Sequence, residues 1–251
     1  MADDSTAQDR QLLREYSEQT RNTSATRLLG ELLRHLDHAA FQRTAGASGG
    51  TTRHLGQGQY AISYARPDGM SHSDHVAVLV HELTHVAVDA AYGSDMLNFP
   101  TPALSDADRD RVRDETPGRE EDFQNARLRG VAANQRDAFV DLVLHNVRQL
   151  VRELPGSGLP AERQRTMRTK LVDHAQARPY HEYDGVLSHL LVWCDLDGAD
   201  RASAFCLSLT AMVNQAADWR AAGAVTVPRR RRGLLRRLGG VFGKLARGFR
   251  R

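Results

Sequence analysis

The sequence predicts a mainly α fold with a small β-hairpin or short sheet, an α+β layout in which one apolar helix packs on further helices. Three observations carry this. Apolar residues recur at spacings of three and four, as in Leu28, Leu29, Leu32, Leu33 and Leu36, and again in Phe139, Leu142, Val143, Val147, Leu150 and Val151. Only one stretch, "QYAISYA" at 59–65, alternates apolar with small or polar residues and carries Ile and two Tyr. Apolar residues make up 41% of 251 positions, enough for a core, yet no run approaches the roughly 20 apolar residues of a membrane span.

Taken in order, residues 1–10 are polar and acidic and read as a disordered amino terminus. Helical spacing runs from about Gln11 to Arg43, with "NTSAT" (22–26) splitting it in two. "TAGASGGTTRHLGQG" (44–58) has the Gly, Ser and Thr content of a loop, and "RPDG" (66–69) closes the strand with a turn. Ser73 or Asp74 can cap the next helix, which runs to Tyr92 with Gly93 as its stop. A polar, proline-punctuated connection follows. Further helices are expected over about Arg119–Leu154, Ala161–Ala177, Glu182–Trp193 and Ala202–Ala222.

The helix before Gly93 contains "HELTH", His81 to His85. Residues i and i+4 share a helix face one turn apart, so both imidazoles can reach one metal ion. Glu82 is rotated about 100° from His81, beside such an ion rather than on it, where a carboxylate can take a proton from a metal-bound water. Zinc lowers the pKa of that water to about 7, so a carboxylate suffices as base. From Val78 to Val88 no other charge appears, as a buried metal helix requires.

This segment resembles the active-site helix of the zincin metallopeptidases. Val78, His81, Glu82, His85 and Val88 occupy the places of that consensus, over about 15 residues. The resemblance implies Zn2+ as cofactor, a protein or peptide substrate, and hydrolysis with Glu82 as general base. The layout is also similar, more loosely, to compact metallopeptidases that bacteria deliver as effectors or toxins.

Catalytic zinc takes three protein ligands and keeps one position open. A metzincin-type extension would need Gly at 88 and His at 91, where Val88 and Ala91 stand. The third ligand is read as Glu182, in "YHEYDGVLSHLLVW", which opens a helix with Val186 and His189 on its face. A glutamate on a second helix resembles the gluzincin arrangement. Tyr180, His181 and Tyr183 crowd around Glu182, and Tyr183 is read as a catalytic donor to the oxyanion. The alternatives are Glu121 or Glu120, Asp89, and, last, His181 or Asp184. Asp89 is placed better to support a histidine than to bind metal. His72 and His75 read as solvent-facing or capping residues.

Residues 11–227 are taken as the metallopeptidase domain and 228–251 as a basic tail. From Arg229 to Arg251 there are nine Arg, one Lys and no acid, so the tail holds ten of the chain's 34 basic residues. The preceding 228 residues hold 24 basic against 31 acidic, a net −7. Leu234, Leu235, Leu238, Val241, Phe242, Leu245 and Phe249 form one stripe on a helix, the pattern of an interfacial segment drawn to anionic membrane. Nonspecific nucleic-acid binding and docking on the acidic body are the other readings of that tail. A membrane-active protein whose tail carries the activity is accordingly the alternative function. The amino terminus has no apolar run of the signal-peptide kind, so the expected location is cytoplasmic with peripheral membrane association, any export using a non-classical route. Cys194 and Cys206 read as small apolar residues on helices.

Overall fold

The computed structural model describes residues 4–44, 49–92, 135–176 and 178–226. Glu120, Glu121 and the basic segment 229–251 lie outside these residues. The elements are α1 (Asp4–Gln19), α2 (Thr23–Leu32), a 3-10 turn (Leu33–His38), β1 (Ala39–Thr44), β2 (Gly49–Gly56), β3 (Gln59–Ala65), α3 (His72–Tyr92), α4 (Gln135–Glu153), a second 3-10 turn (Leu154–Gly156), α5 (Ala161–Thr169), a π-helical segment (Lys170–Gln176), α6 (Pro179–Leu196) and α7 (Ala204–Thr226). The fold is mainly helical with a three-stranded mixed sheet, as expected.

Three expectations are corrected. The chain is helical from Asp4 rather than disordered to residue 10, because α1 is tied down at its start. Thr6 Oγ1 donates to the Phe41 carbonyl at 2.8 Å, and an Arg10 guanidinium nitrogen donates to the Ala39 carbonyl at 2.9 Å, so α1 covers the outer edge of β1. Residues 39–44 form β1 instead of continuing the leucine-rich helix. The glycine-rich stretch read as a loop forms β2. Its hairpin to β3 turns through Gln57 and Gly58, both at positive φ (53° and 74°), the pattern of a two-residue primed turn. The sheet order is β1-β3-β2, with β1 parallel and β2 antiparallel to β3.

Asn22 caps α2, its Oδ1 accepting from the Ser24 and Ala25 amides at 3.0 and 3.2 Å. At α3 the cap is Ser71, whose hydroxyl accepts from the Asp74 amide at 3.1 Å, two or three residues earlier than the sequence suggested.

α3 runs through the centre of the molecule, with the sheet on one side and α6 as its main helical neighbour. Every residue from His75 to Asp89 is buried, so the polar groups there draw most of their partners from within the protein. Thr84 returns its hydroxyl to the Val80 carbonyl at 2.7 Å. Asp89 accepts from the Tyr60 hydroxyl at 2.6 Å. His75, expected at the surface, is 4% exposed, with Nε2 3.3 Å from both Asp9 Oδ1 and the Tyr64 hydroxyl. Tyr64 donates to Asp9, and Arg43 donates to the Tyr64 oxygen at 2.9 Å and to Asp9 at 3.2 Å.

Burial alone would raise the Asp9 carboxyl, but the bonds from His75, Tyr64 and Arg43 outweigh it and hold it below the usual range. A depressed carboxyl stabilises the fold above the unfolded value of 3.8 and loses that contribution as the pH falls through the folded value. The stability difference between the parent and an Asp9→Asn variant should therefore be full above pH 3.8 and narrow below it. Thermal melts across that range check this; a constant gap would show that Asp9 is not held ionised.

On the far side of α6, Arg220 of α7 is 2% exposed and makes a two-pronged pair with Glu31 at 2.8 and 2.9 Å. It also reaches Asp184 at 2.7 Å. The free Cys194 and Cys206 are buried on α6 and α7. No helix among the described residues is long and apolar enough to cross a membrane.

Candidate metal centre

α3 and α6 cross where both carry polar side chains into one cavity of about 270 Å³. The i, i+4 spacing sets His81 and His85 one turn apart with Nε2 atoms 3.1 Å from each other. Glu182, in the first turn of α6, brings Oε2 to 3.3 Å from His81 Nε2 and 4.0 Å from His85 Nε2. All three ligand atoms fall within 4.8 Å of one another. Atoms bound to one zinc at about 2.0–2.1 Å in a tetrahedron lie about 3.3–3.4 Å apart, so this donor set fits such an ion with a fourth position left over. Two imidazoles and one carboxylate suit a divalent transition ion such as zinc or iron(II).

Two glycines make room for the site. A Cβ on Gly185 would sit 2.9 Å from His81 Cε1 and 3.0 Å from Nε2, so the ring packs where α6 has no side chain. A Cβ on Gly50 of β2 would sit 2.6 Å from both Cγ and Cδ of Glu82. Glu82 is 3% exposed, packs against β2 and lines the same cavity as the three ligands without being one of them. Thr52 of β2 places its hydroxyl 2.8 Å from Glu82 Oε2 and 3.0 Å from the Glu82 carbonyl oxygen. Burial raises the Glu82 carboxyl above its ordinary range, and Glu182 adds to this, against the opposing pull of His81 and Thr52. A carboxyl tuned upward in a buried site is suited to take and return protons near neutral pH.

The other sequence candidates fall elsewhere. Tyr183, read as a catalytic donor, is turned into the core one position round the helix from Glu182. It does not line this cavity, and its hydroxyl takes a 2.6 Å bond from Asn146 of α4. Asp89 is bonded to Tyr60 and Asp184 to Arg220, and neither joins the cluster. The side chains of Tyr180 and His181 lie outside the described residues.

The sequence reading did not single out Thr52, Gly50, Gly185, Lys170, His174 or Arg178. Lys170, His174 and Arg178 also line the cavity, and their spacing of four was the one signal available. His189, seven residues beyond Glu182, is 1% exposed, with its ring 5.7 Å from that of His81 and 4.2 Å from Trp193. Burial, then Lys170 and His81, hold its pKa well below the ordinary histidine range, so it is a neutral wall of the site. Compared with models of known protein families, with curated proteins and with solved structures, the chain gives no match.

Proposed function

We propose that this protein is a zinc-dependent metallopeptidase whose centre is held by His81, His85 and Glu182. The observation that carries the reading is the convergence of these three ligand atoms from two helices, with a separate buried carboxylate, Glu82, at their side. The zincin resemblance of "HELTH" supports the same conclusion. Bound zinc supplies a water of lowered pKa and polarises the scissile carbonyl. Glu82 takes the proton of the attacking water on its carboxylate and passes it to the leaving amine. Thr52 orients that carboxylate from β2. The outer edge of β2 pairs with no other strand among the described residues, and an extended peptide can add to such an edge by main-chain hydrogen bonds. Such a peptide would lie next to Glu82.

The test is zinc content and hydrolysis measured together on the purified full-length chain. The expected result is about one zinc per chain, consistent with a three-ligand site, and cleavage of a mixed peptide library that a chelator abolishes and added zinc restores. Zinc-loaded protein that cuts nothing, or cutting indifferent to chelation, overturns the reading.

A further inference from the structure

Beside the metal ligands, the cavity has two unlike walls. On the β2 side stand Gly49, Gly50, Thr51 and Thr52, without charge. From the segment that leads into α6 come Lys170, His174 and Arg178. Lys170 opens the π-helical segment, His174 lies within it, and Arg178 precedes α6. A π turn is wider than an α turn, and such segments occur often at functional sites, so residues four apart here stay on one side of the chain.

Among the described residues neither Lys170 nor Arg178 has a carboxylate within 4.0 Å, while the neighbouring Arg163 is paired with Asp74 and Asp197, each at 2.7 Å. Asp74 is further occupied by the Trp193 indole at 2.9 Å and the Ser71 hydroxyl at 2.7 Å. Lys170 Nζ lies 5.7 Å from the Trp193 ring centre, and Lys170 lines both the metal cavity and a groove of about 830 Å³. Burial depresses the Lys170 ammonium, and only the more distant charges of Glu182, Glu82 and Asp74 counter that. His174 is held below the ordinary histidine range by burial and by Lys170, so it offers a neutral hydrogen-bonding group between two cations.

We propose that Lys170 and Arg178, with His174 between them, form a recognition site for a carboxylate on the substrate beside the bond to be cut. This rests on the peptidase reading above and deepens it to a substrate class: peptides carrying an acidic side chain, or a free carboxy-terminus, next to the scissile bond. The uncharged β2 wall takes the backbone and the basic wall takes the charge, which fixes how the peptide lies across Glu82. A guanidinium or ammonium bonded to a carboxylate in a partly desolvated site is among the stronger hydrogen bonds a protein makes.

The experiment has two readouts. On the full-length chain, NMR titration is made with acetyl-Gly-Glu-amide, acetyl-Gly-Gln-amide and acetyl-Gly-Gln bearing a free carboxy-terminus, in zinc-free and zinc-loaded protein. At least one carboxylate-bearing probe should bind about tenfold tighter than the neutral one in the zinc-free protein, an advantage that falls to about twofold or less in Arg178→Gln and Lys170→Gln. Which probe gains separates an acidic side chain from a terminal carboxylate. The second readout is the ratio of kcat/KM for acidic over neutral peptides, which should drop about tenfold in either variant. Arg178 is exposed, so its replacement tests the proposal without disturbing the core. Equal binding of all three probes, or a ratio unchanged in the variants, overturns the proposal even if zinc-dependent cleavage stands. Absence of any cleavage with the carboxylate preference intact would instead refute the peptidase reading alone.

Discussion

Glu82→Gln protein should retain about one zinc per chain and cleave peptides about 10²- to 10⁴-fold more slowly than the parent, the usual contribution of a positioned general base. Glutamine keeps the size of the side chain, so it fits against Gly50, where a Cβ has no room, and its amide oxygen can still accept the Thr52 hydroxyl. It cannot take a proton. The ligand cluster is left intact, because Glu82 is not among the three converging groups. Nor is there reason for instability: burial already disfavours the charged carboxylate, so a neutral isostere removes a desolvation cost. Zinc by elemental mass spectrometry and initial rates on one peptide decide the matter. Parental activity would remove Glu82 from the mechanism, and loss of zinc would make it a ligand or a structural support.

Gly185→Ala should lose zinc although it changes no ligand. In the interior of α6 the substitution would ordinarily strengthen the helix by about 0.5–1 kcal/mol. Here the new methyl carbon would meet three atoms of the His81 ring at 2.9–3.1 Å, Nε2 among them, and the ring must turn away from Glu182. Disturbing the support of a metal ligand commonly costs 10–100-fold in affinity, and a displaced ligand costs at least that, so a drop of about 100-fold is expected. Competition against a chromogenic chelator gives the affinity, and a melt of the zinc-free protein gives the helix effect separately. Parental zinc affinity would mean that the two helices do not share one ion.

What could be read without coordinates was local. His81, Glu82 and His85 lie within five residues of one helix, so helical geometry alone relates them. The burial of that helix was legible from its uncharged flanks for the same reason. Glu182 is 97 positions from His85, and residue type could nominate it only alongside Glu121 and Asp89; bringing it to His81 takes the packing of α6 on α3. Tyr183 was nominated by its neighbours in sequence, yet a helix sends adjacent residues about 100° apart, which carries this one into the core. The strand β2 escaped notice because its half-buried positions are taken by Thr52, His54 and Gly56, while its one large apolar residue, Leu55, is exposed, so no apolar alternation marks it. β1 escaped because "AAFQR" continues a leucine-rich helix without any breaking residue, and pairing with β3 overrides local preference. The glycines at 50 and 185 carry no chemistry of their own, and only the side chains opposite them show why they are there.

The anchoring of α1 bears on how the protein is handled. Thr6, Asp9 and Arg10 fall in the stretch that a sequence-minded experimenter would trim first or replace with an affinity tag. Removing them would strip the cover from the edge of β1 and leave His75 without its carboxylate, six residues ahead of His81 on the same helix. A shortened chain that fails to hold zinc would then report a broken brace behind the helix, and would say nothing about the ligands in front of it.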